Sequence, residues 1–183
     1  MRTWELRTPL GPEVERLRPG DRVLLSGPLW AARDVAHRLL AEALRRGEPL
    51  PIELRGGVIY YMGPSPAPPG RPIGAAGPTT SSRMDPYTPQ LLALGLRATI
   101  GKGRRSPEVI RAMVEHRAVY LGAPGGCGAL LGLRVRRAEV VAFEELGPEA
   151  IWRLEVEALP LIVINDVRGG DLYEEARRRW RRG

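Results

Sequence analysis

The sequence is poor in lysine, cysteine, histidine and aromatic side chains. Of 28 basic residues only Lys102 is a lysine, Cys127 is the single cysteine, there are two histidines, and aromatics make up 5 %. One cysteine excludes an internal disulfide. It also excludes an iron-sulfur cluster held by this chain alone, because such clusters take several thiolates; any cluster has to come from a partner. No apolar run approaches the roughly 20 residues needed to span a bilayer. The charged start MRTWELRT lacks the apolar core of a signal peptide, so no membrane association is expected and the expected location is cytoplasmic. The formal charge is +7, but five arginines fall in the last seven residues, RRRWRRG, and without them the balance is +2. A basic tail of this kind solvates a helix end or meets an acidic partner, and no nucleic-acid binding is expected.

What is present is aliphatic. Val, Leu, Ile and Ala supply a core, and 183 residues suit one domain spanning 1–183 that buries roughly 70 % of its unfolded surface. TWELRTPL and Arg22 to Leu25 read as strands. From Trp30 to Arg46 the apolar positions follow helical spacing, with Arg33 and Asp34 in the first turn and Gly47 at the stop. A cation at that end is unfavourable unless an anion lies nearby. VIYYM (58–62) is a strand, a short helix is expected over Gln90 to Leu96, and Arg97 to Ile100 is another strand. Ser106-Pro107-Glu108 opens a helix to about His116. Ala118 to Leu121 and Leu133 to Phe143 are strand candidates, Glu149 to Glu157 reads as helix or mixed structure, and LIVIN (161–165) as a central buried strand. Asp171 caps a final helix to Trp180. Alternating strands and helices give an α/β class.

The chemistry concentrates between Gly63 and Gly103. From Gly63 to Pro78 there are six prolines and four glycines, followed at once by Thr79, Thr80, Ser81, Ser82, Arg83 and Asp85. Proline removes backbone donors and glycine permits positive φ, so the segment reads as a rigid loop that presents polar groups. A helix starting at about Thr79 would place Thr79 and Arg83 on one face, beside the free N–H groups of its first turn. Hydroxyls, free N–H groups and a guanidinium make an anion site for a carboxylate or phosphate. Lys102, in Ile-Gly-Lys-Gly, is set where a compact ammonium is wanted in place of a planar fork. IGKG lacks the glycine spacing of a P-loop, so no nucleotide is expected. Asp85-Pro86 and Thr88-Pro89 each fit a helix cap followed by proline. Asp85 is read as a cap in preference to a catalytic acid, His37 and His116 as structural, and Cys127 as a small packed residue.

GRPIGAAGPTTSSRMDPYTPQLL, the following IGKG, GGCGALL, and EAIWRLEVEALPLIVINDVRGGDLY resemble the beta subunit, or carboxy-terminal domain, of class I iron-sulfur fumarate hydratases and L-tartrate dehydratases. The resemblance covers nearly the whole chain. It implies a swivelling β/β/α single domain, where pattern alone leaves a doubly wound sheet equally open. It also implies a 4Fe-4S cluster on a partner alpha subunit, none on this chain, and a homodimer or heterotetramer as the assembly. The implied substrate is a small 2-hydroxy dicarboxylate, malate or L-tartrate. Arg33, Arg83 and Lys102 match the family's carboxylate-binding positions, Thr79 and Thr80 its active-site threonines, and Thr79 its proton-transfer residue. An unassisted threonine hydroxyl is a poor base. The residues by themselves leave a second reading open, a non-catalytic dicarboxylate-binding or protein-docking module.

Overall fold

The computed structural model describes residues 1–181; Arg182 and Gly183, the end of the basic tail, lie outside the described residues. Strand β1 (Thr3–Arg7) is followed by β2 (Arg22–Ala31), helix α1 (Asp34–Arg45) and β3 (Val58–Tyr60). The Pro/Gly loop and a 3-10 turn, Ser81–Met84, precede α2 (Thr88–Ala93) and β4 (Ala98–Gly101). Then come α3 (Pro107–Glu115), β5 (Val119–Gly122), α4 (Gly128–Gly132), β6 (Val135–Ala142), a 3-10 segment at Glu144–Glu149, β7 (Ile151–Asn165) and α5 (Leu172–Trp180).

The strands lie in the order β1-β2-β3-β4-β5-β7-β6, and β2 also pairs with β7. Strands β2, β3, β4, β5 and β7 therefore close on themselves as a small barrel, with β1 and β6 extending it as edges. Strands β1 to β5 run parallel, and β7 is antiparallel to β2, β5 and β6. The expected α/β class is the one observed.

Strand pattern explains the closure. In β2, Val23, Leu25, Leu29 and Ala31 are buried at every second position, the period that puts one face inside. Val58, Tyr60, Ala98, Ile100, Val119, Leu121, Leu154, Val156, Leu161 and Val163 belong to the same cluster. Small barrels are filled by such side chains. The alternate residues Ile59, Tyr120 and Ile164 join a second cluster with Ala36 and Leu40 of α1, Leu91 and Leu92 of α2, and Val109 and Met113 of α3. Strands β3 to β5 are thus covered on both faces, with the polar side chain of Thr99 in β4 buried among them.

Several expectations need correction. Strand β2 does not stop at Leu25. It passes through Gly27, at φ +101°, with a register shift between Leu25 and Gly27; a Cβ at Gly27 would stand 2.5 Å from Thr8 Oγ1. The bulge bends the strand around the barrel, so Trp30 and Ala31 are strand and α1 begins only at Asp34. Ile151 to Glu157, read as helix or mixed structure, is strand, because Leu154 and Val156 alternate with Glu155 and Glu157 and β2 pairs along nearly its whole length. The chain is not α-helical from Thr79: the turn there is 3-10 and starts at Ser81. No helix begins at Pro86, and Thr88 is itself helical and caps nothing with its side chain. The caps at Ser106 and Asp171 are as expected. Ser106 accepts from Val109 N at 3.3 Å, and Asp171 from Tyr173 N at 2.8 Å. Among the described residues no helix is long and apolar enough to cross a membrane.

Candidate functional site

Parallel strands deliver their C-terminal ends to one edge of the sheet, where α/β folds place ligands. Arg33 follows β2, the Pro/Gly loop follows β3, Lys102 follows β4, and the glycine-rich turn at 122–128 follows β5. The topology thus gathers onto one edge segments that are 90 residues apart in sequence.

The loop is pinned at both ends. Ser65 N donates to Ala75 O at 3.2 Å, Ala75 N to Ser65 Oγ at 2.6 Å, and Ala76 N to Gly128 O at 2.8 Å. Helix α4 crosses it through glycines: a Cβ at Gly132 would stand 2.1 Å from Gly74 O, and one at Gly128 3.1 Å from Gly77 N. Beyond the prolines, Thr79 N donates to Tyr61 O at 2.7 Å, Lys102 N to Thr79 O at 3.3 Å, and Ser81 N to Lys102 O at 2.9 Å. Thr80 and Lys102 form an isolated parallel bridge. The threonines therefore run beside the end of β4 as a short added strand. That backbone, with no helical face to share, brings them to Lys102. Thr79 is half-buried, Thr80 and Lys102 are exposed, and Lys102 forms no ion pair among the described residues. Gly125 closes on Lys102 from the next turn, its Cβ position 3.8 Å from the lysine Cδ.

The two arginines meet over a carboxylate. Arg33 is the N-cap residue of α1 and Asp34 its first helical residue. One oxygen of Asp34 lies 2.6 Å from Arg83 Nε and the other 3.3 Å from Arg33 Nε. Arg33 Nε is also 2.7 Å from Glu149 Oε1, and Glu149 Oε2 accepts from Val35 N at 3.2 Å. The anion that a cation at a helix N-terminus requires is therefore supplied from within the chain. Arg33 is 26 % and Arg83 51 % exposed, and the Nη nitrogens of both form no hydrogen bond among the described residues. Those outer donors are the ones that make bidentate contacts with a carboxylate.

Behind the edge lies a polar network that sequence reading missed. The Arg105 side chain has no exposed surface; Nε is 2.7 Å from Asp85 Oδ1, and the Nη groups donate to Thr99 Oγ1 at 2.9 Å and Thr88 Oγ1 at 2.7 Å. It stacks between Tyr61 and Tyr120, 5.2 and 5.1 Å from their ring centroids. Asp85 also accepts from Ser106 N at 2.7 Å, so its role is structural, as expected, though as an ion-pair partner and not as the cap of its own helix. Tyr120 donates to Gly103 O at 2.9 Å, so at its 2.9 Å contact with Ser81 the serine donates. Burial pushes the Tyr120 phenol well above its ordinary pKa, so it stays protonated for this role. Nothing in the run Gly103-Arg104-Arg105 marks the second arginine as the buried one. His37 is buried, with Nδ1–H donating to Arg33 O at 2.9 Å, and burial lowers its pKa from 6.5 to about 4.

The residues do not fit an iron-sulfur cluster. Cys127 is half-buried against the core, and no group of three His, Cys, Asp or Glu that could hold a metal ion occurs among the described residues.

Residues 4–176 match the family model described as Fumarase C-terminus. The chain belongs to that family. It is 41 % identical over 158 residues to fumarate hydratase 2 of Leishmania major, covering 85 % of this chain and 28 % of the relative. It is 38 % identical over 176 residues to the aerobic class I fumarate hydratase of Salmonella typhimurium, covering 93 % and 30 %. A Methanocaldococcus jannaschii protein provisionally assigned as an L(+)-tartrate dehydratase beta subunit is 40 % identical over 173 residues, covering 91 % of this chain and 89 % of that one. The Fumarase C-terminus chain thus spans about three tenths of the first two relatives and nearly all of the third.

Proposed function

We propose that this chain is the beta subunit of an iron-sulfur hydro-lyase that reversibly dehydrates a 2-hydroxy dicarboxylate, malate to fumarate or L-tartrate to oxaloacetate. The observation that carries the reading is the open cationic edge. Arg33 and Lys102 follow parallel strands, Thr79 and Thr80 run beside Lys102, and Arg83, from the adjoining 3-10 turn, meets Arg33 over Asp34. The relatives' names support the reaction class.

Loss of water beside a carboxylate needs a Lewis acid for the departing hydroxide and charge stabilisation for the developing carbanion. A 4Fe-4S cluster held by a partner alpha subunit would supply that Lewis acid, and this chain acts as one unit, 1–183, that is inactive alone. On its side of the interface, the Nη groups of Arg33 and Arg83 bind carboxylate oxygens as forks. Lys102 offers a point charge that can follow a moving oxyanion. Thr79, fixed by its N–H to Tyr61 O and its carbonyl to Lys102 N, holds or relays the proton, helped by the neighbouring ammonium, and Thr80 lies beside it. The assembly is an alpha-beta heterotetramer or contains a homodimer of this chain, located in the cytoplasm.

The test is anaerobic co-production with the alpha subunit and absorbance assays on L-malate and L-tartrate. Turnover needs both chains, and Arg83→Lys removes most of it without unfolding the protein, because a lysine cannot make the bidentate contact. Near-full activity of Arg83→Lys would overturn the carboxylate assignment.

A further inference from the structure

We infer that Asp34, supported by Glu149, is a positioning residue that sets the directions of the Arg33 and Arg83 forks. The inference rests on the proposed dicarboxylate site and adds a requirement to it. Three cations face the edge, Arg33, Arg83 and Lys102, and two acids stand among them. If the only need were to attract a dianion, acids there would be a defect, since each cancels one positive charge. Their contacts explain their presence. Asp34 divides its two oxygens between the two guanidiniums, 2.6 Å to Arg83 Nε and 3.3 Å to Arg33 Nε. Glu149 adds 2.7 Å to Arg33 Nε. In every case the closest nitrogen is Nε, at the inner corner of the group, so the Nη edge is left to a ligand.

The acids are themselves held. Asp34 opens α1 at its first helical position, where the helix dipole favours an acid. Glu149 is tied by Val35 N–H at 3.2 Å and stands beside Pro148, whose carbonyl oxygen is 2.5 Å from a Cβ position at Gly63. Arg83 comes from a different segment, the 3-10 turn after the Pro/Gly loop, and Asp34 connects that turn to α1. A long side chain that is 51 % exposed would otherwise sample many rotamers, and fixing it before the ligand arrives reduces the cost of binding.

Positioning and simple electrostatics predict opposite signs for Asp34→Asn. Removing a negative charge should tighten dianion binding if only net charge matters. If Asp34 aims the forks, KM for the turned-over acid in the alpha-beta complex should rise about ten-fold, the cost of one charge-assisted contact, with a smaller change in kcat. An unchanged or lowered KM overturns the inference.

A second measurement is independent of turnover. In the 15N spectrum of the chain, the Arg83 Nε resonance should shift toward the position of a free arginine in Asp34→Asn, and the Arg33 resonance should do so in Glu149→Gln. Resonances that stay in place overturn the inference even if no substrate has been found. Failure of the dicarboxylate reading has a different signature: the resonances move as expected, but Arg83→Lys keeps full activity.

Discussion

His37 lies on the inner face of α1 with no exposed surface. Its Nδ1–H is given to Arg33 O, and its ring is edge-on to Tyr61 at 5.2 Å. Its Nε2 has no partner among the described residues, so a second proton there would be a buried charge without an acceptor. Burial is the main cause of its lowered pKa; the Arg33 carbonyl opposes the shift and the Arg105 charge adds to it. The pKa falls from 6.5 unfolded to about 4 folded. Between these values the unfolded chain binds a proton that the folded chain refuses, so stability falls as pH drops and is fully present above pH 6.5. The 2.5-unit gap at 1.36 kcal/mol per unit is worth about 3 kcal/mol, a large share of the ~5–15 kcal/mol that holds a domain together. The assay is denaturant unfolding of the native chain and His37→Gln at a series of pH values. Carboxylates titrate alike in both proteins, so the difference between the two curves isolates the histidine. The native advantage should shrink by about 3 kcal/mol from pH 7 to pH 4. A difference that stays constant over that range would refute the assignment of His37 as a neutral, buried support for Arg33.

Two substitutions probe the scaffold behind the edge. In Gly101→Ala the new Cβ would stand 2.0 Å from Ser81 Oγ and 3.0 Å from Tyr61 Cδ2. It should cost roughly 1–3 kcal/mol in thermal or denaturant unfolding and reduce turnover, because Ser81 follows the threonines directly; a fully active, equally stable variant would show that the added strand is not fixed there. Arg105→Leu leaves Asp85, Thr88 and Thr99 facing an apolar side chain. It should destabilise by about 3–5 kcal/mol, as removal of one partner of a buried pair does, and a loss below 1 kcal/mol would contradict the network.

Legibility from sequence followed the range of the interactions. Ser106-Pro107-Glu108 and Asp171 are local signals, and both helices start where those residues place them. Strands β3 and β5 were legible because burial on both faces makes a mostly apolar run. The stretch Leu154-Glu-Val-Glu157 did carry a two-residue period, but the bend at Ala158, with φ +48°, and Pro160 divide it and hide a strand of 15 residues. The barrel closure depends on β2 meeting β7 more than 100 residues away, and no local pattern announces that. At the site, Thr79, Thr80 and Lys102 were expected together, and the backbone bridge joins them. Thr79 and Arg83, expected on one helix face, do not share one, because the chain pairs beside β4 at Thr80 and then enters the 3-10 turn at Ser81. The Asp34 contact with Arg83 spans two segments that only the fold brings together, and the burial of Arg105 depends on Tyr61, just after β3, and Tyr120 in β5.

The proline-rich loop bears on the thermodynamics of the edge. Six prolines between Gly63 and Pro78 restrict the unfolded chain before it folds, and the crossings with α4 at Gly74 and Gly77 leave the end of the loop next to the threonines no space to slide. The conformational entropy that a mobile lid would lose on ligand capture is therefore lost during folding. If the proposed dicarboxylate site is used, its ligand would meet backbone already in place at Thr79 and Thr80, so the temperature dependence of capture on this side should reflect charge desolvation more than chain ordering.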